Sequence, residues 1–272
     1  MGLSIAGGSG SGGFSLRGLH DSQQRLEHTA RQLASGKRIT TAADDAAGLA
    51  MAVRMLAQER SLGQGVRNLE DGNSMVQTAE ASLQSTADTL GRMRELSVQA
   101  QNGTLNDTDR ANIQQEYDQL SAQVTQVAQG TSFGGRNLLD GSLTGSGSVA
   151  ITDGTGAPPT RIAVADQSAS ALGVQGRAVE DPKTLDAIDR AIDSVSQTRA
   201  GLGATSNELQ SRVNQDRSAV ETTSESRSRI EDADVAYTTA LQTRDAISRD
   251  ANVLLLAHGR SLEARSVLHL LA

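Results

Sequence analysis

The sequence predicts a mainly α protein: a long antiparallel helical rod or coiled coil with its N- and C-terminal helices paired, plus one short β-hairpin. Three observations carry this. Leu62, Leu69, Val76, Leu83 and Leu90 follow one another at heptad spacing, which marks a seam along one helix rather than the irregular pattern of a globule. The three prolines, Pro158, Pro159 and Pro182, leave residues 1 to 157 and 183 to 272 without the residue that most disrupts helices. Four aromatic side chains serve all 272 residues, poor material for an ordinary compact core.

The elements follow in order. Leu19, Leu26 and Leu33 repeat the sevenfold step near the N-terminus, and Gly36 closes that helix in a left-handed conformation. Thr41, three residues before Asp44, offers a capping-box-like start for the next helix. From Asp44 to about Gln101 that helix extends roughly 85 Å at 1.5 Å per residue, and Asn102-Gly103 ends it. Asn106, with Asp107 and Asp109 behind it, starts a helix whose Ile113, Tyr117, Leu120, Val124 and Val127 share one stripe and pack antiparallel to the first. From about Gly141 to Val174 the chain is rich in Gly, Ser and Thr. There Ser148–Thr152 and Thr160–Val164 alternate as strands around the turn residues Asp153-Gly154-Thr155-Gly156, a single hairpin. Asp181-Pro182 supplies an N-cap and a first-turn proline for the last rod helix. Its seam runs through Ile188, Ile192, Val195, Leu202, Leu209, Val213 and Val220, diluted by Thr198, Arg199 and Ser206. Ile247, Leu254 and Leu268 place the C-terminal helix against Leu19, Leu26 and Leu33 in a terminal coiled coil. The expected divisions are 1–43 and 231–272 for the terminal coiled-coil segments, 44–141 and 181–230 for the rod, and 142–180 for the hairpin and its loops.

Composition excludes several functions. Acidic residues outnumber basic ones 32 to 25, and the net charge of −7 argues against a surface that tracks nucleic-acid phosphates. Without cysteine there is no disulfide, thiolate metal site or Cys nucleophile. The longest strongly apolar run, Val253–Ala257, is far short of a membrane span, and the N-terminus lacks the basic-then-apolar pattern of a secretory signal. Asp44-Asp45 and Glu231-Asp232 could be paired carboxylates or a hard-cation site, but no His or nucleophile lies nearby in sequence, and acidic pairs at helix ends serve as caps or dipole partners. His20, His28, His258 and His269 form no H-E-x-x-H motif, and the glycine tract at residues 7–13 lacks the Gly-Lys-Ser/Thr of a phosphate loop. That tract reads as flexible, with a high ordering entropy. Ser and Thr between Ser142 and Ser170 could accept O-linked sugars, though loop composition alone accounts for them. No cofactor or metal is expected.

Ala, Ser, Thr and Gln flank the seams, so each helix pair buries a narrow apolar stripe worth about 25 cal/mol per Å². Ordering a residue costs about 1–2 kcal/mol of backbone entropy, so the segments before Gly36 and after Asp234 are expected to stay mobile until something covers their apolar faces. Head-to-tail packing of identical copies on those faces does not close, and gives a filament.

Leu33-Ala34-Ser35-Gly36-Lys37-Arg38-Ile39 followed by Ala42–Gly48 resembles the N-terminal signature of bacterial flagellins. Arg92–Gln99 is similar to a helix segment of that family, Thr131–Gly141 to the turn after its second helix, and Ser228–Asp234 to the junction before its C-terminal helix. The resemblance covers most of both arms and implies a subunit of the flagellar filament in a minimal form that lacks the outer variable domains. It implies an inner coiled coil of the two chain ends lining a tube, a helical rod carrying the hairpin outside it, and no catalysis. It further implies extracellular assembly after export through the flagellar type III apparatus without a cleaved signal peptide. The implied partners are many copies of the chain, hook–filament junction and filament cap proteins, and an export chaperone on the C-terminal segment. Arg92, Leu96, Gln99 and Glu116 match the flagellin surface bound by an animal receptor, Toll-like receptor 5, and equally suit contact with the next subunit. Two departures stand out: the glycine tract replaces a polar N-terminal strand, and Gly259-Arg260 with Glu263-Ala264-Arg265 makes the C-terminal segment more charged than the family's. A hook–filament junction protein of the same plan, or a helical adhesin or scaffold that never polymerises, remains an alternative.

Overall fold

The computed structural model describes the backbone of residues 9–271 and the side chains of residues 16–259. The expected seam residue Leu268 and the apolar finish Val267–Ala272 lie outside the described side chains, and Gly7 and Gly8 outside the described backbone. The elements are α1 (Ser9–Ser35), α2 (Ala46–Ala100), α3 (Asp107–Gly130), β1 (Ser132–Phe133), β2 (Arg136–Asn137), β3 (Val149–Ile151), β4 (Thr160–Ile162), α4 (Pro182–Glu231) and α5 (Val235–Leu271). The chain forms two compact units, Gln58–Glu221 and Met1–Ala57 with Thr222–Ala272.

In the unit Gln58–Glu221 the heptad residues become the core. Leu69, Val76, Leu83 and Leu90 of α2, Tyr117 and Val124 of α3, and Ile188, Val195, Leu202 and Leu209 of α4 are buried together. Leu62 is buried just outside that cluster. Leu120 is only partly buried, and α3 turns Ala128 rather than Val127 fully inward. Two buried hydroxyls of α2 are satisfied by their own helix: Thr86 and Thr89 donate to the carbonyls of Ser82 and Ser85 at 3.1 and 2.8 Å, which lets small polar residues sit in the seam, whereas the buried Ser97 hydroxyl has no partner. Tyr117 donates to the Val174 carbonyl at 2.8 Å, and burial pushes its phenol up to about 12. Asn106 caps α3, accepting from the Asp109 N–H at 2.8 Å, and Asp181 caps α4, accepting from the Lys183 N–H at 2.9 Å.

β3 and β4 form the expected hairpin, antiparallel with Val149 opposite Ile162 and Ile151 opposite Thr160. Its tip meets α2 at Gly65, where a Cβ would stand 1.8 Å from the Asp153 carbonyl oxygen; no other residue fits there. A second hairpin joins β1 to β2 through Gly134 and Gly135, at φ 58° and 79°, the left-handed pair that a two-residue turn of this twist requires. Two-residue strands are too short to show alternation, which is why sequence pattern does not reveal them.

In the unit of the chain ends, α1 and α5 run antiparallel, with Gly18 beside Asn252 and Arg25 beside Asp245. α1 starts at Ser9, so Ser9–Gly13 of the glycine tract is helical where a flexible stretch was expected; propagating an existing helix is far easier than nucleating one. α2 is capped by Asp45 and not by Thr41: Asp45 Oδ1 accepts from the Gly48 N–H at 2.8 Å. Asp44 instead turns back, accepting from the N–H groups of Thr40 and Thr41 at 2.8 Å each.

Candidate functional site

The residues between α1 and α2 are tied to the end of α4 by a compact polar knot. Lys37 pairs across an antiparallel bridge with Asp232, and its Nζ lies 2.5 Å from Glu231 Oε1. Arg38 donates its N–H to the Glu231 carbonyl at 2.6 Å and its guanidinium to the Ile230 carbonyl at 2.7 Å, while the Ala233 N–H reaches the Gly36 carbonyl at 2.9 Å. Lys37 holds the Glu231 carboxyl below the usual range against the opposing effect of burial, with Arg227 at 3.2 Å assisting. Asp44 is likewise held low, first by His28 at 2.9 Å and then by Thr41 and Thr40. A Cβ on Gly48 would stand 2.3 Å from Asp45 Oδ2 and 2.8 Å from the Ile39 side chain. The acidic pairs therefore act as caps and ion-pair partners, and Gly48 is required by close packing.

The helix pair α1–α5 has an unusual interior. Among its described residues the most buried are Ser22, Thr29, Thr238 and Asp245. Leu19, Leu26 and Leu33 are half-buried at its margins. Asp245, 3% exposed, is met by Arg25 at 3.4 Å and by Arg244 at 3.2 Å. Ile247 and Leu254 do not enter this pairing: they are 66% and 70% exposed, and Leu255 is 62% exposed. The reason is geometric. The face of α5 turned to α1 carries Thr238, Gln242, Asp245, Arg249 and Asn252, and Ile247 and Leu254 lie off that stripe. With Tyr237, Ala240, Arg244 and Ala251 they form an exposed stripe, apolar but for Arg244, at alternating three- and four-residue spacing along α5. Beside it a groove of about 660 Å³ runs between the two helices, lined by Asp21, Arg25, His28, Arg38, Tyr237 and Arg244 among others.

In the unit Gln58–Glu221, Arg92 joins α2 to α3: its Nε and Nη2 donate to Glu116 Oε1 at 3.0 and 2.8 Å, and its Nη1 to Glu95 at 3.0 Å. Gln99 is exposed one heptad further along α2. Leu96 is not part of that surface. It is 1% exposed, because Leu90, Met93, Leu96 and Ala100 all turn into the core where α2 is packed on more than one side. Residue spacing alone missed a second cluster, where the tip of the β3–β4 hairpin meets α4. Asp153 accepts from Thr155 and lies 3.4 Å from Arg212, whose guanidinium also donates to the Pro158 carbonyl at 3.0 Å. Burial works against the Asp153 charge, but Thr155 and Arg212 bring its carboxyl below the usual range. Asp216, 4% exposed with Oδ2 unpartnered, is raised by burial and by Asp153. Among the described residues no group of three or more His, Asp or Glu side chains is placed to hold a metal ion, and no helix is long and apolar enough to cross a membrane.

Comparison with known proteins adds direct relatives. The family model of the bacterial flagellin N-terminal helical region matches residues 15–144, and that of the C-terminal helical region residues 185–271. The flagellar filament 33 kDa core protein of Treponema phagedenis is 34% identical over 276 residues, covering 95% of this chain and 96% of its own. Flagellin FlaB2 of Treponema pallidum (strain Nichols) aligns with the same identity and coverage. The flagellin of Halalkalibacterium halodurans is 34% identical over 265 residues, covering 93% of each.

Proposed function

The chain belongs to the bacterial flagellin family, and from that premise we propose how its surfaces build the polymer. It is a structural subunit of the extracellular flagellar filament, serves swimming motility by polymerising with copies of itself, and has no catalytic role. Relatives that are filament core proteins favour this over a junction protein or a free scaffold. It is a minimal form: between α3 and α4 it carries two small hairpins and loops in place of an inserted outer domain.

The observation that carries our reading is the exposed stripe Tyr237, Ile247, Leu254 and Leu255 on a helix whose inward face is polar. A neighbouring subunit covering that stripe removes apolar area from water that the subunit itself leaves wet, at about 25 cal/mol per Å². In this reading the segments 1–43 and 231–272 form the inner coiled coil lining the tube, and the rod segments 44–141 and 181–230, with the hairpin region 142–180, lie outside it. The subunit is exported through the flagellar type III apparatus with a chaperone on its C-terminal segment, and meets junction and cap proteins at the filament ends. Arg92, Gln99 and Glu116 form a subunit-contact surface that Toll-like receptor 5 binds on monomers and not on filaments. Because Leu96 is a core residue, the test of that surface is Arg92→Ala with Gln99→Ala, and unchanged reporter activation would count against receptor binding. Electron microscopy of purified protein under polymerising conditions tests the assembly itself. Helical tubes that disappear when residues 1–35 are deleted support it, and closed oligomers alone oppose it.

A further inference from the structure

The turn between α2 and α3 holds the only Asn-Gly pair in the chain, Asn102-Gly103. Asn102 is exposed, and its Oδ1 accepts from the Thr104 N–H at 3.1 Å and from the Thr104 hydroxyl at 3.0 Å. Two donors on one carbonyl oxygen draw electron density from Cγ and make it a better electrophile. Neither Asn102 Nδ2 nor the Gly103 N–H is engaged by an acceptor among the described residues. Around Gly103 no heavy atom lies within 4 Å of the place a Cβ would take, so the backbone there is free to swing its nitrogen toward the preceding side chain.

The three Asp-Gly pairs lack this combination. Asp71-Gly72 lies inside α2. Asp140 is held by Asn137 and Ser142, and Gly141 is crowded by Asp166 at 3.0 Å. Asp153 is buried and held by Thr155 and Arg212.

We infer that Asn102 is a modification site at which the folded chain deamidates without an enzyme. The Gly103 nitrogen gives its proton to solvent base and attacks Asn102 Cγ. The new N–Cγ bond forms, the Cγ–Nδ2 bond breaks, and the departing amide nitrogen takes a proton from water and leaves as ammonia. The resulting succinimide takes up one water and opens at either carbonyl, giving aspartate or isoaspartate; one water enters overall and one ammonia leaves. The product carries a negative charge just past the C-terminal end of α2, where the helix dipole disfavours anions, and five residues before Asp107 in the first turn of α3. Isoaspartate also inserts a methylene into the backbone of a residue whose N–H bonds the Gln99 carbonyl at 3.0 Å and whose carbonyl receives the Leu105 N–H at 3.2 Å.

The test keeps the full-length chain folded at mildly alkaline pH and follows it by peptide mass mapping and isoaspartyl methyltransferase labelling. The amide-to-acid mass shift and the label are expected at residue 102 ahead of every other asparagine. Gly103→Ala, which adds a methyl in open space at an ordinary backbone angle, keeps the fold and slows the conversion roughly tenfold, equivalent to about 1.4 kcal/mol in the barrier. The inference is overturned if residue 102 keeps its amide, if Asn106 or Asn137 converts first, or if Gly103→Ala leaves the rate unchanged.

Discussion

Residues 58–221 bury a continuous aliphatic seam from Leu69 to Leu209 around Tyr117, whereas the paired chain ends bury Ser22, Thr29, Thr238 and Asp245 and leave Ile247, Leu254 and Leu255 in water. Both regions are packed helices with heptad leucines, three helices in the first and two in the second, so periodicity does not separate them; what separates them is which side of the helix the apolar residues occupy. In the first unit the hydrophobic effect is spent inside the subunit, and that unit holds itself together. In the second the larger apolar faces point outward, and the polar knot around Lys37 and Glu231 does the holding. In the proposed assembly this division has a use: residues 58–221 fold ahead of assembly, and the folding of the chain ends is completed by it.

The comparison breaks most visibly on α5. Replacing Ile247 and Leu254 together by Glu should abolish filaments seen by electron microscopy while the melting of the monomer changes by no more than about 0.5 kcal/mol, as for other exposed positions. A monomer that unfolds instead would show that those side chains are internal. The reverse pattern belongs to Leu83, fully buried in the other unit: Leu83→Ala should cost about 3 kcal/mol in denaturant unfolding of the monomer.

Charge sharpens the contrast at a smaller scale. Lys37→Met removes the first partner of Glu231, and since Lys37 is half-exposed the loss should be about 1 kcal/mol. Glu231 and Asp44 are both lowered, so their contribution is complete above the ordinary carboxylate pKa of about 4 and fades as pH falls through their depressed folded values. Limited proteolysis between about pH 4 and pH 2 should therefore open the chain ends, and Lys37→Met should move that opening to higher pH. Asp216 has the opposite sign. Its folded carboxyl is raised, so its ionisation weighs against the fold at neutral pH and acidification relieves it. Asp216→Asn should raise the neutral-pH stability of residues 58–221, read as a higher denaturant midpoint.

The sequence made the first unit legible because there apolarity and period coincide: Leu69, Val76, Leu83 and Leu90 are both heptad and buried. Leu96 was misplaced because a seam of one residue per turn widens to two where a third helix packs, and a face drawn from spacing alone does not show the third helix. At the chain ends α5 carries Val253, Leu254 and Leu255 in succession, so apolar residues fall on several faces and period cannot say which one turns to α1. Thr41 and Asp45 each satisfy a cap pattern, and only the direction of the Asp44 and Asp45 side chains decides between them. The flagellin signature from Leu33 to Gly48 was legible as a motif, but its reason, the knot with residues 227–233 far along the chain, is a tertiary fact.

Hydrogen exchange on monomer and filament, followed peptide by peptide, tests the central claim most directly. Amides of residues 58–221 should be protected in the monomer and change little on assembly, while those of α1 and α5 exchange quickly in the monomer and become protected only in the filament. Chain ends as well protected in the dilute monomer as Leu83 and its neighbours would contradict the account.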